Sequence, residues 1–543
     1  MPPDDRDQGI APASRSPDAP LPAFDVIVVG SGPAGLAAAI AARDAGASVA
    51  VIEENSDIGG HGMLSGGNIQ LGGGHSLQKQ LGIEDGPELI FYDWTRPDLP
   101  ETRFNDRELT RIFASENAAT FEFLLDNGVT FYPHPSLKAD VNNLGPASVP
   151  RVFQCHEWDV KAEVIAPHRG RNGSGLVRAL AKSARRKGVV LFLGHRLTGL
   201  VRHPGRPTEF TVETLNDGAT VELRAIGGVV LATGGSSGDV TFRRIFDPRL
   251  TEEYQQVGAP YSRQSADGER AALAHGASLW ATGSQTAGTA LVLAKTWHIG
   301  CRWGYKSLVF EQDSPIFPLA KATGLTVTDW QNLVLVNQIG QRFWDETDDS
   351  PGFFDAALSY THRTTDPNGG GPIWAIFDAA AAEREGWNTT PPHVDRDGYF
   401  FQEKTLEELS RAITNTYQKT AMPAENLVHT VARYNDFVAT GADVDFGKPS
   451  PRYAIARPPF YAAWATPMVH DSLTGLRTDA TGRVLDLYGG TIDGLYCAGE
   501  TQGGFAQHGL GRCLVFGRIA GRSAASRSCA DQDQRIADEE HSH

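Results

Sequence analysis

A β-branched strand, a glycine loop and a helix follow one another near the start of the chain, and this succession limits the fold more than any other feature. Phe24-Asp25-Val26-Ile27-Val28-Val29 has the composition of a parallel strand buried on both faces. Gly30-Ser31-Gly32-Pro33-Ala34-Gly35 follows, and the next residues, LAAAIAARDAG, read as a helix that stops at Gly46. Ser48-Val49-Ala50-Val51-Ile52 is a second strand, so a βαβ unit closes within about 30 residues.

The spacing Gly30-x-Gly32-x-x-Gly35 carries meaning only in this strand–turn–helix setting. There Gly30 makes the tight turn, Gly32 lets a pyrophosphate approach the backbone, and Gly35 lets the helix pack on the strand. The phosphates face the helix start at Pro33 and Ala34, where N–H groups and the helix dipole favour an anion. Glu53 ends the second strand, 18 residues beyond Gly35, with Glu54 beside it. An acid there accepts from ribose hydroxyls and disfavours a 2′-phosphate.

Glycine makes up 59 of 543 residues, about 11% against a usual ~7%, and the excess is clustered. Gly59-Gly60, Ser65-Gly66-Gly67, Ala232-Thr233-Gly234-Gly235 and Ala498-Gly499-Glu500 are further candidate backbone approaches. An extended cofactor touched at several places along the chain explains them, which favours FAD over NAD. The net charge of −16 argues against a nucleic-acid partner. Five scattered cysteines without a CxxC pair fit free thiols and no metal site. There is no run of about 18 apolar residues and no apolar leader, so neither a transmembrane segment nor a signal peptide is expected. A cytoplasmic location follows as the expectation.

The expected fold class is α/β: a split Rossmann-like FAD-binding domain with an inserted α+β capping (substrate) domain. Residues 1–23 read as a disordered leader, 24–245 as the first part of the FAD domain and 246–455 as the cap. Residues 456–525 complete the FAD domain, and 526–543 read as a disordered tail. Within the cap, helices are expected over 379–385 with Asp378 as N-cap, over 406–417 and over 426–440.

The order of these features resembles one flavoprotein family over most of residues 24–525. It contains the FAD-dependent fumarate reductases, the succinate dehydrogenase flavoproteins and the 3-ketosteroid dehydrogenases. The resemblance implies that Gly30, Gly32 and Gly35 line the FAD pyrophosphate and Glu53 the adenosine ribose. It places Gly60, Ser65, Gly66 and Gly67 toward the isoalloxazine and the Leu197 backbone at the adenine. Ala232, Thr233 and Gly234 would flank the cofactor, and Gly499 and Glu500 would hold the ribityl chain. The helix start at Arg512-Cys513-Leu514 would aim N–H groups at the flavin C2 carbonyl, where a helix dipole stabilises reduced flavin. His61 precedes Gly66 by five residues, one short of the family's spacing for covalent attachment, so the FAD is expected to be non-covalent. Residues 430–435 and 445–449 resemble the end of the fumarate reductase cap.

The resemblance also shows departures. Pro467 to Gly475 matches the stretch with a substrate-binding histidine, here His470. Ser350 stands where fumarate reductases carry a proton-donating arginine, and Gly288 stands near their His-Pro pair. Their carboxylate-binding arginine falls at His508 or near Arg512. A site short of these cations holds a dicarboxylate poorly, since each charge-assisted bond is worth ~1.5–3 kcal/mol. The cap offers aromatics instead: Trp297, Trp303, Tyr305, Phe343, Trp344, Phe353, Phe354 and Tyr360. Most are expected in its core, the rest in an apolar cleft.

In 3-ketosteroid dehydrogenases, tyrosines and backbone N–H groups polarise the ketone and take the α-proton while flavin N5 takes the β-hydride. The C-terminal tyrosine of that group falls at or near His508. The candidate catalytic residues are therefore His508, His470, Tyr305 and Tyr360. The expected enzyme is an FAD-dependent oxidoreductase acting on CH–CH groups, dehydrogenating a cyclic ketone or 3-ketosteroid-like substrate. The alternative is a fumarate- or urocanate-type reductase. Either needs a small-molecule substrate and a separate electron acceptor or donor.

Overall fold

The computed structural model describes residues 21–98, 100–136, 149–158, 172–281, 291–305, 312, 317–358, 371–418, 420–507 and 509–541. Within it, β1 (Ala23–Val29), α1 (Pro33–Asp44) and β2 (Val49–Glu53) form the expected βαβ unit. α2 (Asn172–Arg186) then leads into β3 (Val190–Leu193), β4 (Arg196–His203), β5 (Arg206–Asn216) and β6 (Ala219–Leu231). Near the C-terminus, β7 (Arg483–Leu485), β8 (Thr491–Cys497) and α3 (Leu510–His541) complete this part of the chain.

Two compact units result, one made of residues 1–236, 264–283 and 472–543, the other of 237–263 and 284–471. The first is built on an eight-stranded sheet in the order β7-β8-β6-β1-β2-β3, with β4 and β5 added as an antiparallel arm on β6. β1 pairs in parallel with both β2 and β6, Val28 opposite Val51 on one side and Val230 on the other. Its run Val26–Val28 is fully buried, as a central parallel strand requires. Ile27, Val29, Ile52, Val229 and Leu231 pack into one apolar cluster with Phe210, Val212 and Leu223 of the arm. α3 crosses α1 closely: a Cβ on Gly521 would stand 2.1 Å from the Ala38 carbonyl oxygen. The helix runs on to His541, where a disordered tail from 526 was expected. Ala, Arg, Gln and Glu, all good helix formers, make up 8 of the 16 residues from 526 to 541.

The second unit centres on a four-stranded antiparallel sheet, in the order Val334–Val336, Trp374–Asp378, Phe460–Trp464, Phe400–Glu403. Alternation along the strands fills two cores. Ala375 and Phe377 join Phe353, Phe354 and Tyr461, while Trp374 and Ile376 join Leu427, Val431 and Tyr434. The helix Ala379–Glu385 starts where expected, with the Asp378 carboxylate accepting from the Ala381 N–H. The helix from Leu406 ends at Ala412, not 417. The Asn415 side chain accepts from the N–H groups of Tyr417 and Gln418 and turns the chain there. Among the described residues no helix is long and apolar enough to cross a membrane.

A buried charge network ties the sheet of this unit to its flank. Glu346 accepts from Arg342 at 2.7 and 2.9 Å and lies 3.1 Å from Lys448, while Arg342 also reaches Asp443 at 2.9 Å. Burial alone would push the Glu346 carboxyl up; Lys448 and Arg342 outweigh it and hold the group down to about 2. Because the folded value lies below the ordinary 4.5, this contribution is present above pH 4.5 and is lost as pH falls toward 2. Glu346→Gln leaves two buried cations underpaired and is expected to cost about 3–5 kcal/mol. Denaturant unfolding of the holoprotein at neutral pH checks this; a loss below about 1 kcal/mol would contradict it.

Candidate functional site

The three glycines of the first loop have three different physical reasons. Gly30 has φ +100°, and a Cβ there would stand 2.3 Å from the Ala232 carbonyl oxygen. At Gly35 a Cβ would stand 1.8 Å from the Gly30 carbonyl oxygen, so only glycine lets the helix sit this close. Gly32 is the N-cap of α1 with an ordinary φ of −66°. The nearest atom to a Cβ there is the Gly59 carbonyl oxygen at 3.9 Å. Neither backbone nor packing demands glycine at 32; the open space lies at a helix N-terminus, the place for an anion.

Ser31 organises this loop. Its N–H and hydroxyl donate to one Glu53 oxygen at 2.9 and 2.7 Å, and its Oγ accepts from the Gly59 N–H at 3.1 Å. The other Glu53 oxygen accepts from the Asn55 N–H at 3.0 Å. Burial raises the Glu53 pKa, and the Asn55 and Ser31 bonds pull against it. Glu53 is thus a hub of the loop, with acceptor capacity left on a carboxylate. Glu54 is partly buried, 4.0 Å from Arg196. Leu197 is buried on β4 opposite Thr214.

The other glycine clusters gather in the same unit. Gly60 opens the short helix Gly60–Leu64, which carries Gly62 and His61. The Ser65 hydroxyl donates to the Gly62 carbonyl and accepts from the Gly67 N–H at 3.3 Å. A Cβ on Gly66 would meet nothing closer than the Asn68 side chain at 3.5 Å, a second open approach. The Ala232 N–H donates to the Val29 carbonyl, and the Gly234 N–H to the Thr501 hydroxyl at 3.1 Å. Thr233 and Thr501 hydroxyls meet at 3.2 Å. Glu500 accepts from Gln264 at 2.7 Å and from the Ser472 N–H at 3.2 Å.

α3 starts at Leu510, as the sequence suggests. The Arg512 side chain, however, is fully buried and donates to the Gly499 and Gln502 carbonyls. It fixes the 499–502 turn, which is where a guanidinium with five fork-shaped donors is useful. Cys513 is partly buried beside it, its Sγ 3.7 Å from where a Gly499 Cβ would stand. Leu514 is fully buried.

In the other unit, Tyr305 and His470 come together, their rings edge-on with centroids 4.9 Å apart. His470 lies on the strand Met468–Ser472, and its Nδ1 is 2.9 Å from the Asp471 carboxylate. Burial lowers the His470 pKa, but Asp471 outweighs it, so the imidazole titrates above 6.5. Burial, aided by Asp471, pushes the Tyr305 phenol up to about 12. Phenol, imidazole and carboxylate in this order can hold a proton on the first and accept one on the second.

Ser350, at the place of the absent arginine, donates its N–H and hydroxyl to Asp348 and starts the helix Pro351–Leu358. His508, Tyr360 and Gly288 lie outside the described residues. Sequence reasoning missed Ser31, Gln264, Thr501 and Asp471. Three of them act through partners far along the chain; the acid directly after His470 was a readable signal.

These features fit FAD. Gly32 leaves open space at a helix N-terminus, where an anion is favoured, Gly66 leaves a second open approach, and Glu53 keeps acceptor capacity. The model of the FAD binding domain family matches residues 25–511. The chain is 27% identical over 524 residues to a probable fumarate reductase of Shewanella frigidimarina, covering 94% of this chain and 76% of that protein. It is 26% identical over 592 residues to a 4-oxocyclohexanecarboxylate 2-dehydrogenase of Sinomonas cyclohexanicum, covering 95% of each. The crystal structure of a 3-ketosteroid-Δ4-(5α)-dehydrogenase of Rhodococcus jostii aligns with TM-score 0.55 and 27% identity, over 93% of this chain and 97% of that one. The chain belongs to this FAD binding domain family and is an FAD-dependent oxidoreductase acting on CH–CH groups.

Proposed function

We propose that the enzyme dehydrogenates a cyclic ketone at its α,β bond. The observation that carries this is the Tyr305–His470–Asp471 cluster. When bound, non-covalent FAD supplies the acceptor for the β-hydrogen, which leaves as hydride. The residues of the chain handle the other hydrogen. With Nδ1 held toward Asp471, Nε2 is the basic nitrogen of His470 and accepts the α-proton. Tyr305 keeps its proton at neutral pH and donates to the carbonyl oxygen as negative charge grows there. Two relatives named above, from Sinomonas and Rhodococcus, carry names of cyclic-ketone dehydrogenases.

The fumarate-type reading needs two carboxylate clamps. Arg342 and Lys448 are committed to Glu346, and Lys295 donates to the Glu346 carbonyl at 2.6 Å. None of the three is left for a substrate. Holoenzyme with an artificial electron acceptor should convert 4-oxocyclohexanecarboxylate or a 3-ketosteroid to a product lighter by two hydrogens. The acceptor used in the cell is a separate molecule. Fumarate reduction above ~1 s⁻¹ with a strong donor and no ketone conversion would favour the other reading.

A further inference from the structure

Tyr305 and His470 are far apart in the sequence, yet one short stretch of chain joins their positions. The strand Leu291–Ala294 pairs with Met468–Ser472, the strand that carries His470. Directly after it, the buried Thr296 hydroxyl donates to the Thr466 carbonyl at 2.7 Å, just ahead of the His470 strand. That strand is held a second time beside the histidine. The Val469 N–H donates to the Gln255 carbonyl at 2.8 Å, and the Val469 carbonyl accepts from the Val257 N–H at 2.9 Å.

Beyond Thr296 the stretch turns back on itself. The Trp297 carbonyl accepts from the Val327 N–H at 2.9 Å, and His298-Ile299 pairs with Leu325-Thr326. Both peptide groups of Gly300 are fixed: its N–H donates to the Trp464 carbonyl at 3.0 Å and its carbonyl accepts from the Asp395 N–H at 2.9 Å. The Cys301 thiol donates to the His298 carbonyl at 3.3 Å. Gly304 comes to rest on that same carbonyl. A Cβ there would stand 1.8 Å from the His298 oxygen and 3.0 Å from the Thr296 methyl. The φ of Gly304 lies outside the left-handed region, so closeness, not conformation, excludes a side chain. Tyr305 is the next residue, and its ring meets the His470 ring edge-on at 4.9 Å.

We infer that residues 291–305 form a bracket that sets the distance between Tyr305 and His470, and that Gly304 is a positioning residue for Tyr305. A side chain at 304 lifts the loop off the His298 carbonyl and carries the phenol away from the imidazole. A misplacement of about 1 Å at a reacting group costs ~10²-fold in rate. The use of this contact in ketone chemistry rests on the function proposed above; the contact itself does not.

NMR of holoenzyme with isotope-labelled histidine reads the contact without any substrate. Of the 16 histidines, His470 is identified by the signal lost in His470→Ala. The ring current of Tyr305 displaces that signal, so Tyr305→Phe should leave it in place and Tyr305→Ala should move it. Gly304→Ala should move it in the same sense as Tyr305→Ala, with FAD content and circular dichroism unchanged. Thr296→Val cuts the tie to Thr466 without adding bulk and should move it in the same sense by less. With a cyclic ketone, Tyr305→Phe and Gly304→Ala should each lower kcat by ~10²–10³-fold. The double variant should fall no further than the slower single one, because both act through one hydroxyl.

A folded Gly304→Ala protein whose His470 signal keeps its wild-type place would overturn the inference, as would losses in kcat that multiply in the double variant. If Gly304→Ala does not fold, an unmoved signal in Thr296→Val overturns it instead. A signal that moves as expected, while Tyr305→Phe turns over ketones like the wild type, keeps the bracket and removes Tyr305 from the chemistry.

Discussion

Gly32→Val is expected to yield a folded protein that holds no flavin. The backbone at Gly32 is one that any residue adopts, and the nearest protein atom to a Cβ is 3.9 Å away. The chain therefore tolerates the side chain; only a ligand at the helix N-terminus does not. Two valine methyls in the pyrophosphate's path remove both the space and the N–H approach. Gly35→Ala is the contrasting variant. Its methyl would meet the Gly30 carbonyl oxygen at 1.8 Å, so the βαβ unit itself should fail, beyond the usual 1–3 kcal/mol of overpacking. Circular dichroism and released FAD measured on both variants separate the two roles. A yellow Gly32→Val protein with full FAD content would remove the phosphate site from this loop.

The second large effect concerns His470. His470→Ala should retain FAD and lower turnover with a cyclic ketone by ~10²–10⁴-fold, the usual span for a lost general base. The base works in its neutral form, so kcat/KM should fall on the acid side with a midpoint above 6.5, because Asp471 raises the imidazole's pKa against the effect of burial. In His470→Ala that limb should disappear. Tyr305→Phe should lower kcat without moving the limb, since a phenol pushed up to about 12 stays protonated throughout. An alanine variant with wild-type turnover and an unchanged pH profile would assign the base to another residue, with His508 next.

The reach of the sequence differed between the two units. The βαβ loop was legible because its geometry is local: a turn, a close helix and an open N-terminus are encoded within six residues. Asp378 was legible for the same reason, a side chain capping an N–H three residues on. The role of Glu53 was only half legible. An acid at the end of β2 was visible, but its bonds to Ser31 cross 22 residues and depend on the fold. Arg512 shows the converse. It sits at the helix start that the family resemblance marks, yet its guanidinium serves the Gly499 and Gln502 carbonyls. Helix 406–412 ends early because of one asparagine side chain, which periodicity does not register.

Anaerobic rapid mixing of oxidised holoenzyme with a cyclic ketone tests the central claim most directly. The flavin absorbance should bleach in a single turnover, with one enone formed per flavin, and dithionite-reduced enzyme should not be reoxidised by fumarate. Flavin that stays oxidised with every ketone, together with rapid reoxidation by fumarate, would contradict the account.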